Sequence, residues 1–471
     1  PGRGQAEARP QPGHLCFTTS TGTIATVTTP PGPHEPAWVS FGRYLRDPLG
    51  MMTALRDEHG PVAFVRFPGG HDFFFVTDAP LIRRVLVDDQ AVFVKGRALR
   101  AAKRLLGEGL LTSEGDQHLR RRRLIQPIFH SAMIDRYGSE MVAAAERTGA
   151  RWRHRGTVDI NAEMMRLALD IVGRTIFAAD VESGAPEIRG VLEAGMRVFH
   201  RFLLPGANLL WRLPLPATRR FDQAKLGIDS MIERMIGERR DRPADPPGLL
   251  DHLLALRDED GRRLLTDEEI RDEAITLMLA GHETTAQALT WTWLLLARHP
   301  AAAERMAAEL DAVLGGRTPT VADYSQLPVT QAVFREALRL YPPVWALARI
   351  TTAPYMLGDH AVPEGGTIIT SQWVVHRRAE YFPDPQRFQP ERWLDGADAP
   401  PAGAYFPFAA GSRICVGERF AMLEGTLILA TLAQRWRVLV SPREPQIDAR
   451  FTLRPRGGLE AATVRVAAAT R

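Results

Sequence analysis

Helical periodicity runs almost unbroken from Ala91 to Gly315, and few architectures house so much helix with so little strand. Apolar residues there recur three and four positions apart, as in RFDQAKLGIDSMIERMIGERR, which turns one face of each segment to a core. The stretch RDRPADPPG, 240–248, breaks the run as an exposed loop. Between Trp38 and about Gln90 a short helical pattern gives way to the period-two stretches PVAFVRF and DFFFVTD, punctuated by Gly-Gly and Asp, which predict a small sheet. After Tyr341 the texture turns to strands and loops marked by Pro and Gly, then a last helix from about Arg419 and a strand pair. No internal repeat is visible. The expected class is mainly α with a minor β part, one domain spanning 38–471. Residues 1–37, rich in Pro, Gly and Thr, read as a loosely ordered leader.

With 471 residues, 45% of them hydrophobic, such a chain can bury a core large enough to contain a pocket. Its 59 basic and 55 acidic residues nearly cancel, which gives no argument for nucleic acid. The two cysteines, Cys16 and Cys415, lie far apart and supply neither a disulfide framework nor four-ligand zinc spacing, so a reducing cytoplasm is the expected location. No window reaches the roughly 18 consecutive apolar residues of a membrane span, and PGRGQAEARPQPGH lacks the form of a secretory signal.

The stretch FAAGSRICVG, 408–417, holds Cys415 with no second Cys or His nearby. A lone cysteine can be a nucleophile, a redox sensor, a metal ligand or a core filler. Gly411 and Gly417 permit tight turning and close approach of backbone to a flat ligand, and Arg413 is placed to meet a carboxylate of it. In EALRLYPP, 336–343, Glu336 and Arg339 stand three apart and share a helix face, where an ion pair alone means little. In LMLAGHETTAQAL, 277–289, Gly281 and two threonines interrupt a long helical pattern and predict a local distortion, since a threonine hydroxyl can bond back to a carbonyl. In GDQHLRRRRLIQPIF, the arginines 120–123 cannot all point inward, and a solvated basic face is their plain reading.

FAAGSRICVG resembles the haem-binding signature of the cytochrome P450 superfamily, Phe-x-x-Gly-x-Arg-x-Cys-x-Gly, with every fixed position filled. The resemblance extends from about Trp38 to Arg471 with four motifs in family order, and implies that family's fold, a triangular helical prism with small β-sheets. It implies haem b (iron protoporphyrin IX) with Cys415 as the thiolate ligand to iron, Phe408 packed against it, and backbone amides after it tuning its donor strength. Glu336 and Arg339 would be completed by Arg392 of PERW into a buried structural network. Glu283 and Thr284 would form the acid–alcohol pair that delivers protons to dioxygen, with Gly281 leaving it space and His282 turned away. His118, Arg122, Arg349 and Arg413 are the implied partners of the haem carboxylates. The remaining arginines of the 120–123 run would form a basic proximal surface for an acidic electron carrier.

The implied activity is monooxygenation: one atom of O2 inserted into a hydrophobic small molecule. The tail after Cys415 is too short for a flavin or iron–sulfur domain, so electrons are expected from separate partners such as a ferredoxin and its reductase, serving a monomer. The family's pocket segments map here to 99–111, 199–215, 278–280, 344–347 and 452–453, with Phe199, Phe202, Met278, Ala280, Trp345, Leu347 and Leu453 as lining candidates. A largely apolar pocket selects by shape. RLPLPATRRF and LRLYPPVWALAR resemble bacterial members that oxidise cyclic terpenes, while a fatty-acid hydroxylase, its substrate anchored by Arg97 or Arg100, is the alternative. A non-catalytic haem sensor would need no proton relay, and a thiol enzyme would need no haem.

Overall fold

The computed structural model describes residues 14–18, 24–129, 131–179, 188, 190, 215–245, 247–394 and 396–466. The longest helices are Ala37–Arg46 (α1), Pro48–His59 (α2), Gly115–Ile125 (α3), Ser131–Arg151 (α4), Ile160–Ile176 (α5), Pro216–Asp241 (α6), Leu249–Ala255 (α7), Asp267–Arg298 (α8), Pro300–Leu314 (α9), Pro328–Leu340 (α10) and Glu418–Ala433 (α11). The strands are His14–Thr18 (β1), Ile24–Thr28 (β2), Val62–Phe67 (β3), His71–Val76 (β4), Phe93–Lys95 (β5), Gly156–Asp159 (β6), Leu347–Thr351 (β7), Tyr355–Leu357 (β8), His360–Val362 (β9), Thr367–Thr370 (β10), Trp436–Val440 (β11), Ile447–Asp448 (β12), Arg454–Pro455 (β13) and Glu460–Arg465 (β14).

Helix α8 is the axis of the molecule. Thr266 and Glu269 close a capping box at its start, and three acidic residues in the first turn suit the positive end of the helix dipole. Buried side chains, polar as well as apolar, cover nearly its whole circumference, and α5, α6, α9, α10 and α11 pack around it. One apolar cluster joins α8 to α4, α5, α10 and α11.

Four sheets decorate this helical body. The largest has the order β3-β4-β10-β7-β5, in which β10 runs parallel to β4 and antiparallel to β7. Its register sets Lys95 opposite Arg349, which brings two cations side by side. A three-stranded sheet β11-β14-β6, the two-stranded β12-β13 and the four-stranded β1-β2-β9-β8 complete the β part.

The stretch read as a leader contains the antiparallel pair β1–β2, joined to β9 by a parallel pairing of Thr28 with His360; its Thr, Ile and Val carry the β preference that the prolines around them mask. The helical run from Ala91 is also interrupted by β5 and β6, strands too short to leave a period-two signature.

Candidate active site

Cys415 sits in a turn built against the sheet and delivered into α11. Its backbone amide donates to the carbonyl of Phe408 at 2.9 Å, and Ile414 N donates to Gly411 O at 3.1 Å. Gly411 has φ +71°, and a Cβ there would lie 2.2 Å from the carbonyl oxygen of Leu86, so no other residue fits without displacing backbone. Ser412 N donates to Gln90 Oε1 at 2.8 Å, which ties the turn to the chain before β5. Cys415 keeps accessible surface in this turn. Burial pushes its pKa up, while the Gly417 amide and the Arg122 charge pull it down. Phe408 is half-buried against the apolar cluster.

Beside this turn is a concentration of cations. Arg122 Nη1 donates to Ile414 O at 2.7 Å, next to Cys415. Arg413 Nη2 donates to Phe93 O at 2.9 Å and pairs with Glu114 at 3.1 Å. Burial is the largest influence on the other three groups, and neighbouring cations add to it: Lys95 falls to about 8, His118 to about 4 and Arg349 to about 10. Lys95 Nζ is held by the carbonyls of Leu110 (3.0 Å) and Ser113 (2.6 Å). Among the groups that perturb this cluster, Glu114 is the one carboxylate within the set. The donor set fits the two carboxylates of a haem, which would supply the missing negative charge.

Sequence reading missed Lys95 and Glu114. The signal was available: Phe93 and Lys95 alternate on one face of β5, so a lysine occupies a position that packing alone would make apolar.

The basic run behaves differently from its plain reading. Arg121 is buried and binds Glu273 of α8 at 2.9 Å, and Arg120 pairs with Glu269 at 3.1 Å. These two brace α3 on α8 and do not form a free proximal surface; Arg123 is exposed. Periodicity identified which residues share a face but not that α8 presents carboxylates to them.

Helix α8 continues unbroken through 277–289, so the threonines do not distort it. Within 272–296 every residue is buried except Ala280, Gly281 and Thr284, which lie on one side of the helix. Thr284 Oγ1 donates to Ala280 O at 2.6 Å. A Cβ on Gly281 would meet Val172 Cγ2 of α5 at 3.1 Å and no other heavy atom within 4 Å, so the position borders open space beside that helix. His282 points away, with Nε2 against Met165 O at 2.9 Å. Glu283 is directed away from Thr284: its Oε1 accepts from Thr452 Oγ1 at 2.6 Å, and burial raises its pKa. The acid and the alcohol are sequence neighbours on different faces, with no hydrogen bond between them among those of the described residues.

Glu336, Arg339 and Arg392 are brought together. All five N–H groups of Arg339 are used: two on Glu336 (2.9 and 2.8 Å) and three on the carbonyls of His376, Pro385 and Arg387. Glu336 also accepts from Arg392 Nε, Gln389 N and Trp393 Nε1.

Of the pocket candidates, Ala280 is exposed and Leu347 half-buried. Met278, Trp345 and Leu453 are packed into apolar clusters, at 0%, 6% and 0% exposure. Phe199 and Phe202 lie outside the described residues.

The family described as Cytochrome P450 matches residues 30–459. Among curated proteins, the chain is 39% identical to cyclooctatin synthase of Streptomyces melanosporofaciens, over 84% of this chain and 87% of that one. It is 37% identical to cyclooctat-9-en-7-ol 5-monooxygenase of the same organism, over 84% and 86%. It is 38% identical to pentalenene oxygenase of Streptomyces avermitilis, over 84% and 88%.

Proposed function

The chain belongs to the cytochrome P450 family, and on that premise we propose that it is a monooxygenase that hydroxylates a cyclic terpenoid at a haem b bound by Cys415. The family works with a haem iron, dioxygen, a hydrophobic substrate and electrons from a redox partner. No helix among the described residues is long and apolar enough to cross a membrane. A cytoplasmic monomer served by a ferredoxin and its reductase is the fuller form of the proposal, and the absence of a cysteine framework supports the compartment.

The observation that carries the reading is the pairing of two features on one apolar cluster. Cys415 is exposed in the turn before α11, and Ala280, Gly281 and Thr284 open the surface of an otherwise buried α8. We assign both to one cavity. When bound, the haem supplies the iron that activates dioxygen for insertion of one atom into a C–H bond. Cys415 would hold it from one side, with the Gly417 amide setting the charge on sulfur. Lys95, His118, Arg349 and Arg413 would bind its carboxylates, and Arg122 would steady the cysteine turn through Ile414. Thr284 would present a hydroxyl at the cavity and Glu283 a buried acid behind it, a relay that pure haem binding would not need.

Arg97 and Arg100 are exposed, which favours the terpenoid over a fatty acid anchored by its carboxylate. The test is a titration of the purified ferric protein with a cyclic terpene and with a long-chain fatty acid, read in the Soret band. A shift toward high spin with the terpene alone supports the proposal. A shift with the fatty acid alone overturns the substrate class, and absence of any Soret band after haem reconstitution overturns the role of Cys415.

A further inference from the structure

The two oxygens of Glu283 have unequal surroundings. Oε1 accepts a 2.6 Å hydrogen bond from Thr452, whereas Oε2, equally buried, has no hydrogen-bond partner among the described residues. A threonine hydroxyl has one hydrogen to give, so with that hydrogen on Oε1 the proton of the neutral acid belongs on Oε2. Burial favours that neutral form, since nothing near Glu283 offers it a full ion pair.

Thr452 is held in place for this contact. It lies in the connection between β12 and β13, where Asp448 gathers Arg450 (2.5 Å) and Arg454 (3.2 Å) and closes the turn on itself. The next residue, Leu453, is pinned at both backbone groups: its carbonyl accepts from Trp291 Nε1 of α8 at 2.8 Å, and its amide donates to Pro343 O at 3.0 Å. Trp291 is about two turns beyond Glu283 on the same helix, so this anchor fixes the spacing between the hairpin and the acid.

We propose that Thr452 is a positioning residue for proton delivery: its hydroxyl fixes the Glu283 carboxyl group so that Oε2 carries the transferable proton. Glu283 would give up that proton as dioxygen is reduced by electrons from the redox partner, and regain one from water. The inference rests on the monooxygenase reading above, and adds to it a residue from the C-terminal hairpin that lies far from the motif in sequence.

The experiment uses the haem-loaded enzyme with Thr452→Val, Thr452→Ser and Glu283→Gln. The neutral carboxyl stretch of Glu283 is assigned by infrared difference as the band that Glu283→Gln removes. In Thr452→Val this band is expected to move to higher wavenumber, and the fraction of reducing equivalents lost as hydrogen peroxide is expected to rise several-fold. Thr452→Ser should restore band and coupling together. Thr452→Ala substitutes if valine unsettles the hairpin. A band and a peroxide fraction at wild-type values in both the valine and alanine variants would overturn the proposal. Unchanged peroxide in Glu283→Gln would overturn the relay reading itself, and the band position separates the two failures.

Discussion

Glu336 on α10 and Glu283 on α8 are buried alike, at 0% and 1% exposure, and the fold treats them in opposite ways. Glu336 accepts hydrogen bonds at both oxygens from Arg339, Arg392, Gln389 and Trp393, and its main partner Arg339 spends every donor it has. Glu283 has one hydroxyl on one oxygen. A fully satisfied buried network is stiff, and its members cannot be removed singly. A buried acid with one free oxygen costs stability, and such a cost persists where the group has work to do. On the proposed function, the same side-chain type marks scaffold in one place and chemistry in the other.

The comparison can be broken most forcefully by one isosteric change made at both positions. Glu336→Gln leaves the Arg339 guanidinium buried without a counter-charge and should cost about 3–5 kcal/mol, enough to abolish folded, haem-binding protein. The carbon-monoxide difference spectrum of expressed protein reads that loss directly. Glu283→Gln replaces an acid already biased to its neutral form, so thermal stability should change by less than about 1 kcal/mol while peroxide release rises. If both variants fold equally well, the distinction between scaffold and relay carboxylates is wrong.

Glu424 on α11 sharpens the contrast by pH. Burial holds its carboxyl up to about 8, with Thr285 of α8 pulling it back. In the unfolded chain the group ionises near 4.5, so between that value and about 8 the folded state holds a proton that the unfolded state has released. Stability contributed here therefore falls as pH rises through that window and levels off above it. Glu424→Gln removes the proton linkage. Its stability relative to wild type should climb from about pH 4.5 to pH 8 by an amount on the order of a few kcal/mol, read from denaturant unfolding at several pH values. Parallel curves for the two proteins would show that Glu424 is ionised in the fold.

How legible these sites were depended on whether their chemistry is local. The Cys415 turn was readable because Gly411, Arg413 and Gly417 act within a few residues, through turn geometry that one segment encodes. The helical body was readable because α6 and α8 carry their periodicity over many turns. Lys95 and Glu114 escaped because their meaning lies in a cluster assembled from β5, α3, β7 and the cysteine turn. Arg121 was misread for the same reason, its partner Glu273 lying more than a hundred residues on. Thr452 has no motif at all; only the anchoring of Leu453 on Trp291 and Pro343 shows why it meets Glu283.

The smallest effect concerns strain in the cysteine turn. Ala409, in the same turn as Cys415, has φ +61°, a left-handed conformation that costs a residue with a Cβ about 1–2 kcal/mol. Ala404 and Phe406 just before it are buried and Cys415 N is bonded back to Phe408 O, so the surrounding turn leaves Ala409 no relaxed alternative. Glycine would release that strain but adds about 0.5–1 kcal/mol of backbone entropy to the unfolded chain. Ala409→Gly should therefore stabilise the protein by no more than about 1 kcal/mol, visible as a small rise in Tm. Destabilisation would mean that the methyl group packs for a purpose, and that the cysteine turn, like the Glu336 network, is scaffold with nothing to spare.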